Sequence, residues 1–398
     1  MKGALDSAAR LLFRSALVIF LVTIVIGILN GLDIWEPERK LLLTHVHAGT
    51  LGWITMSVIG VALLMYGADA GEAAVRSGTR LAQGVVGATV LYVIAFATTT
   101  GVLRPIAGTL MLIAVVSALT WVVQQRKSTA STVPTVGMLL ALISLTIGAV
   151  LGVLLGLFIA NGSLPGLDAE AAGSLAGAHP PAMLIGYLVL AAVSVAEWLI
   201  VKDPKPASES KSGLVVVYGL FLSGLLFNIA FIADVEALIQ VASMLEVIGI
   251  VIFLVRMWSY LKPAAWKGVG SGVFARMSVV YVAVGIGLLV YVVQLFVSGE
   301  LDPETGEGPV GVLLAFDHSM FIGAMTNALF GVVAMRLAYD GLTRLVAWGV
   351  NVGLAGFLIG LSIDSSALKR ISTPVMGAAL ILGIYVFLTR SEVAPSSA

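Results

Sequence analysis

The chain of 398 residues is 59% hydrophobic and only 11% charged, with a mean hydropathy of +1.05, whereas a soluble domain carries about 25% charge. Its 22 Lys and Arg balance 22 Asp and Glu, which leaves no electrostatic case for a nucleic-acid partner. Cysteine is absent, so disulfides, thiolate metal sites, iron–sulfur clusters and thioether-linked haem are excluded.

A bilayer core about 30 Å thick takes roughly 20 apolar residues per helix. Twelve stretches meet that length: 11–29, 41–66, 81–99, 106–123, 136–160, 178–201, 214–233, 237–255, 274–296, 310–337, 345–363 and 374–388. The pattern predicts an all-α polytopic membrane protein, a single transmembrane domain over residues 1–398, with a disordered tail at 391–398. Lys2, Arg10 and Arg14 precede or open the first span and no small-residue cleavage site follows it, so it reads as a retained helix. No repeat relates the two halves. Glycine and alanine recur along the spans, as at Gly52, Gly152 and Gly323, where close helix packing in lipid needs small residues.

Orientation follows from the bias of Lys and Arg among the short loops. Of the 22 basic residues, all but Arg39, Lys40, Arg104, Lys369 and Arg370 fall on the side that holds the N-terminus. The spans therefore predict a prokaryotic cytoplasmic-membrane protein with both termini in the cytoplasm and membrane lipid as its surroundings.

Only four histidines occur, and they carry the functional signal. His45 and His47 lie five to seven residues into span 2, His318 about nine residues into span 10, and His179 at the start of span 6. All of these spans enter from the outer side, which puts the four side chains in the outer third of the membrane. Ionisable residues inside a membrane are rare and functional by default. Residues two apart on a helix point about 200° from each other, so His45 and His47 face two sides of one helix and suit two cofactors better than one metal ion. By the same helical period the His45 face continues through Ala48, Gly49, Gly52 and Met56, small enough for a flat macrocycle. Imidazole is the usual axial ligand of haem iron, and histidines on facing helices make a b-type site without cysteine. Each histidine read alone is equally a hydrogen-bonding group between helices.

At these residues the chain resembles the haem–copper oxidase superfamily, the catalytic subunits of terminal oxidases and nitric oxide reductases. The string from His45 to Trp53, H-V-H-A-G-T-L-G-W, is similar to the H-V-H-S-G-A-L-G-W of C-type oxidases, where the first His holds the high-spin haem and the second the low-spin haem. Gly177-Ala178-His179-Pro180 is similar to the G-H-P around a copper-ligand histidine on span 6. His318-Ser319-Met320-Phe321-Ile322-Gly323 is a weaker match to a haem-ligand helix. The chain departs from the family in three ways. Its H-x-H string stands on span 2 instead of span 10, span 10 has one histidine, and span 7 lacks the adjacent pair. His45-Val46-His47 on an early span is also similar to the NnrS-type haem membrane proteins associated with nitric oxide stress, which carry an H-A-H string there.

What the resemblance implies is a cytochrome oxidase subunit I-like bundle holding one or two haem b groups. His47 and His318 would ligate a low-spin haem, with His45 proximal and His179 distal, or metal-ligating, at a second; the opposite assignment of His45 and His47 stays open. One histidine on span 6 makes no three-histidine copper site, so copper and proton-pumping oxygen reduction are not expected. Electrons would come from quinol or a donor protein, and a diatomic gas, nitric oxide or oxygen, would be the ligand handled. Arg39 and Arg104 (with Lys40 as a further outer cation) are candidate partners of the haem propionates. Glu246, near the middle of span 8, is a candidate for a proton path, and Asp317 points away from its neighbour His318. The competing readings are a proton-coupled secondary transporter built on Glu246 and the histidines, and a haem-free structural relative.

Overall fold

A computed structural model describes residues 5–163, 168–262, 266, 270–301 and 308–390; the predicted tail and the acidic loop residues 302–307 lie outside these. Among the described residues twelve helices are long and apolar enough to cross a membrane. They are α1 (Asp6–Gly31), α2 (Arg39–Tyr66), α3 (Glu72–Thr98), α4 (Leu103–Gln125), α5 (Val133–Asn161), α6 (Ala169–Ile200), α7 (Lys211–Ala233), α8 (Glu236–Leu261), α9 (Gly270–Ser298), α10 (Val310–Val333), α11 (Gly341–Ser362) and α12 (Ser366–Arg390). Among the described residues there is no sheet, only an isolated backbone bridge between Thr132 and Pro206. The chain is thus an all-α integral membrane protein, and all twelve predicted spans have a counterpart.

Two boundaries moved by nine residues. α3 begins at Glu72 and not Leu81, and α6 begins at Ala169 and not Ala178. Proline suits a first turn, but Pro180 and Pro181 do not mark the start of α6. The true start is Asp168, whose carboxylate accepts the Ala171 N–H at 2.8 Å. The two prolines lie inside the helix.

The chain forms two compact units. The first comprises residues 1–20 and 39–256, the second residues 21–38 and 257–398. In the first, Thr132 and Thr135 form a capping box at the start of α5, and Trp121 of α4 donates to the Ala74 carbonyl of α3 at 3.1 Å. The buried Glu197 of α6 pairs with Arg256 of α8 at 2.5 Å, and Arg256 also donates to Ser210 and Ser212. A side chain on Gly224 of α7 would run into the backbone of Gly186 of α6, so these two helices touch main chain to main chain, as small residues in lipid permit. In the second unit Tyr281 of α9 donates to the Asn351 carbonyl of α11 at 2.7 Å. Phe330 of α10 packs on Phe387 of α12 and Phe274 of α9, with ring centroids 4.8 and 5.8 Å apart.

A period of four spans runs through both units. The second helix of each group of four is the most enclosed: 83%, 78% and 67% of the apolar windows of α2, α6 and α10 is buried, against 28–56% for the other nine helices. Each of the three also contains eight residues of π-helix, at Ala48–Thr55, Ala182–Val189 and Ser319–Thr326. Aligned on these segments, A-G-T-L-G-W-I-T, A-M-L-I-G-Y-L-V and S-M-F-I-G-A-M-T share a small first residue and a glycine at the fifth position, Gly52, Gly186 and Gly323. A Cβ on each glycine would meet the first helix of its own group: Ile19 of α1, Ser144 of α5 and Tyr281 of α9. A comparison of halves misses this relation because the repeat is threefold.

Candidate functional site

The π-segments place the histidines. A π-helix closes its hydrogen bonds one residue further on than an α-helix and occurs mostly as short insertions in α-helices, frequently at functional sites. Here α-helical residues Arg39–His47 and Val310–His318 each end on a histidine, and the π-helix begins at the next residue. In α6 the prolines at 180 and 181 lack N–H groups and so cannot continue the α-helical ladder; the π-segment starts directly after them, three residues beyond His179. In α10 side chains supply the wider spacing as well, since Thr326 Oγ1 donates to the Phe321 carbonyl, five residues back, at 2.9 Å.

Measured along their own helices, His45, His47, His179 and His318 stand about 9, 12, 15 and 12 Å from the first residue. His179 is therefore well inside α6 and not at its start. With the π-segments superposed in sequence, His318 corresponds to His47 and His179 to His45. All four rings are partly buried. The 200° separation of His45 and His47 holds, because both lie in the α-helical stretch. The face drawn onward from His45 to Met56 does not, because residues 48–55 depart from the α-helical period.

Three of the rings share one chemical feature. His47 Nδ1 bonds the Leu43 carbonyl at 2.7 Å, His318 Nδ1 the Leu314 carbonyl at 2.7 Å, and His179 Nδ1 the Gly148 carbonyl of α5 at 2.9 Å. A carbonyl only accepts, so in each ring Nδ1 carries the hydrogen and the lone pair resides on Nε2. An N–H anchored in this way orients an imidazole that ligates metal and raises its basicity. Gly152 of α5 makes room for the His179 ring, since a Cβ there would lie 2.8 Å from Cε1.

The surroundings of the rings differ. His47 lies against Phe96 of α3, ring centroids 4.2 Å apart, and Tyr92 at 5.6 Å. Arg104 of α4 covers the same Phe96, its guanidinium carbon 4.6 Å from the ring centre, and donates to the Phe96 carbonyl at 2.9 Å. Its Nε is buried with no hydrogen-bond partner among the described residues. His179 and Arg104 are both near enough to His47 to act on it electrostatically. Arg39, by contrast, is exposed at the first residue of α2, about 12 Å along the helix from His47. In the second unit His318 meets the edge of Phe357 of α11 at 5.1 Å, and Asp317 is half-buried beside it.

Other polar groups complete the picture. Glu246 of α8 is buried, and neither carboxyl oxygen has a hydrogen-bond partner among the described residues. Tyr187, in the π-segment of α6, donates to Thr55, the last π residue of α2, at 3.1 Å, both fully enclosed. Asn327 of α10 and Asn351 of α11 exchange amide hydrogen bonds at 2.9 and 3.0 Å. Tyr92, Phe96, Tyr187 and Asn351 were not singled out from sequence; the four-residue spacing of Tyr92 and Phe96, which puts both on one helix face, was the available signal. Trp53 is enclosed within α2 and stacked on Phe20 of α1, centroids 4.9 Å apart.

Haem suits this donor set. It asks for an imidazole Nε2 lone pair, which His47, His179 and His318 offer, and for a cation near its carboxylates, which the partly unsatisfied Arg104 offers. Among the described residues no three His, Asp or Glu gather as a group that could hold a metal ion. No family model and no curated protein matches the chain.

Proposed function

We propose that this protein is a membrane-embedded haem b protein with the fold of a haem–copper oxidase catalytic subunit, acting in electron transfer or in the handling of nitric oxide or oxygen. The observation that carries the reading is the repeated arrangement on α2, α6 and α10. Each of these most-enclosed helices bears a histidine with Nδ1 tied to a carbonyl, which leaves the lone pair on Nε2, beside a π-helical segment.

In this reading the Nε2 atoms of His47 and of His318 would each hold haem iron. His45 and His179 serve a second haem, where one is bound. Bound haem supplies a one-electron couple and, where a coordination position stays open, a place for a diatomic gas. The chain's residues do the rest. The carbonyls of Leu43, Leu314 and Gly148 fix ring orientation, the Phe96 and Tyr92 rings exclude water around His47, and Arg104 balances carboxylate charge. Glu246 holds a proton within α8 for chemistry that consumes one. Quinol or a donor protein supplies electrons. The bias of Lys and Arg places both termini in the cytoplasm.

The test is the optical spectrum of the detergent-purified protein after expression with ample haem. A Soret band and a sharp reduced α-band are expected, with the α-band lost in both His47→Ala and His318→Ala. An absent Soret band, or a spectrum unchanged in both variants, overturns the reading. The first outcome leaves a proton-coupled transporter, which the unpartnered carboxyl of Glu246 favours.

A further inference from the structure

Away from the histidines, a groove of about 670 Å³ runs between α3 and α4 on the first unit. It extends from Ser77 to Leu91 on α3 and from Leu110 to Gln124 on α4, about 21 Å of helix, where one leaflet contributes roughly 15 Å of hydrocarbon. Most of its length is apolar and open: Leu91, Leu110, Ile113 and Val116 are exposed, and a Cβ on Gly84 or Gly87 would meet no atom within 4 Å.

The two ends differ in charge. The Leu91 and Leu110 end is apolar, whereas Arg80, Ser77, Thr120 and Gln124 line the other, and Arg126 and Lys127 stand two and three residues beyond Gln124, outside the lining itself. Arg80, Arg126 and Lys127 are exposed, and among the described residues none has an ion-pair partner; Arg76 is tied to Glu72 at 3.3 Å. An apolar channel of about one leaflet's depth that begins at three uncompensated cations matches the two parts of an anionic phospholipid, one acyl chain and one negative headgroup.

We propose that the α3–α4 groove binds a single anionic phospholipid, with its headgroup on Arg80, Arg126 and Lys127 and an acyl chain lying over Gly84 and Gly87. Native mass spectrometry of protein equilibrated with equimolar phosphatidylglycerol and phosphatidylcholine tests it. One phosphatidylglycerol per chain should be retained, at least fivefold over phosphatidylcholine. Arg80→Gln should abolish the preference, and Gly84→Leu or Gly87→Leu, which fill open space, should remove the bound lipid. Lys205→Gln, on the exposed α6–α7 connection, should change nothing. Equal retention of the two lipids overturns the proposal. So does phosphatidylglycerol still bound when both Arg80→Gln and Gly84→Leu are present, or an isoprenoid quinone displaced by the glycine variants. Size-exclusion profiles separate lost lipid from lost fold.

Discussion

In α2 and in α10 the same nine-residue α-helix ends on a histidine whose Nδ1 bonds the carbonyl four residues back, and eight residues of π-helix follow. What faces them differs. The α2 histidine lies under Phe96 and Tyr92 of α3, with Arg104 over the same ring, so its wall is aromatic with one cation. The α10 histidine touches a single ring of α11, and the far end of its π-segment is fastened by the Asn327–Asn351 amides. One local motif is thus held in two ways, by ring packing and cation in one unit and by a buried polar clamp in the other. The first leaves a charge available for a ligand, and the second fixes the backbone.

The glycines at the fifth π position measure how tightly each copy is held. Gly323→Ala sets a methyl against the Cβ and Cγ of Tyr281, the root of a ring whose hydroxyl is already bonded to Asn351. That ring cannot swing aside, so overpacking should cost about 3 kcal/mol. At Gly52 the obstacle is a terminal methyl of Ile19, which can change rotamer, and the cost should fall to about 1 kcal/mol. At Gly186 the nearest atom is the Ser144 hydroxyl at 3.2 Å; there the helix propensity gained over glycine, about 1 kcal/mol, should leave stability unchanged. Thermal unfolding of the three variants in one detergent gives the order, and a Gly52 variant less stable than the Gly323 variant would show that the α10 copy is not the tighter one.

The amide clamp is the next difference to remove. Asn327→Leu leaves the Asn351 Oδ1 enclosed without its donor, at a cost of about 1.5 kcal/mol. The double variant with Asn351→Leu removes both partners and should be less destabilised than the single one. A double variant that loses the sum of the two single losses would mean that the amides are not coupled. Met56 takes the place of Asn327 in α2, so no matching substitution exists there.

The twelve spans were legible because they depend on apolar length, which the bilayer fixes independently of tertiary detail. The repeat was not, since it rests on eight-residue segments with one shared glycine, and only the π-helical geometry brings them into register. Nor was the start of α6: Pro180-Pro181 carries the same signal at a helix start as at a helix defect, and which one applies depends on the ten residues upstream. The aromatic wall of His47 was hidden for a third reason, because Tyr92 and Phe96 gain meaning only once α3 is known to pack on α2.

The smallest effect concerns how the facing helices begin. α11, which carries Phe357 and Asn351, is capped by Asp340, whose carboxylate accepts the Thr343 N–H at 3.0 Å and pairs with Arg390 of α12. The Thr343 N–H first, and Arg390 in addition, hold this carboxyl below the usual range. A depressed pKa in the folded state means that the contribution is present above the unfolded value, near 3.9, and is lost as pH falls below it. α3 is capped by Gly71, which offers no side chain. Asp340→Asn should therefore lower stability at pH 7 by less than about 1 kcal/mol, the pair being half exposed and screened, and should converge on the parent as pH falls through the lowered folded-state pKa of Asp340. Gly71→Asp, at an extended backbone position with nothing within 4 Å of its Cβ, should add a few tenths of a kcal/mol that vanishes over the same range. An Asp340→Asn deficit that persisted at low pH would mean that the carboxylate charge is not what caps α11.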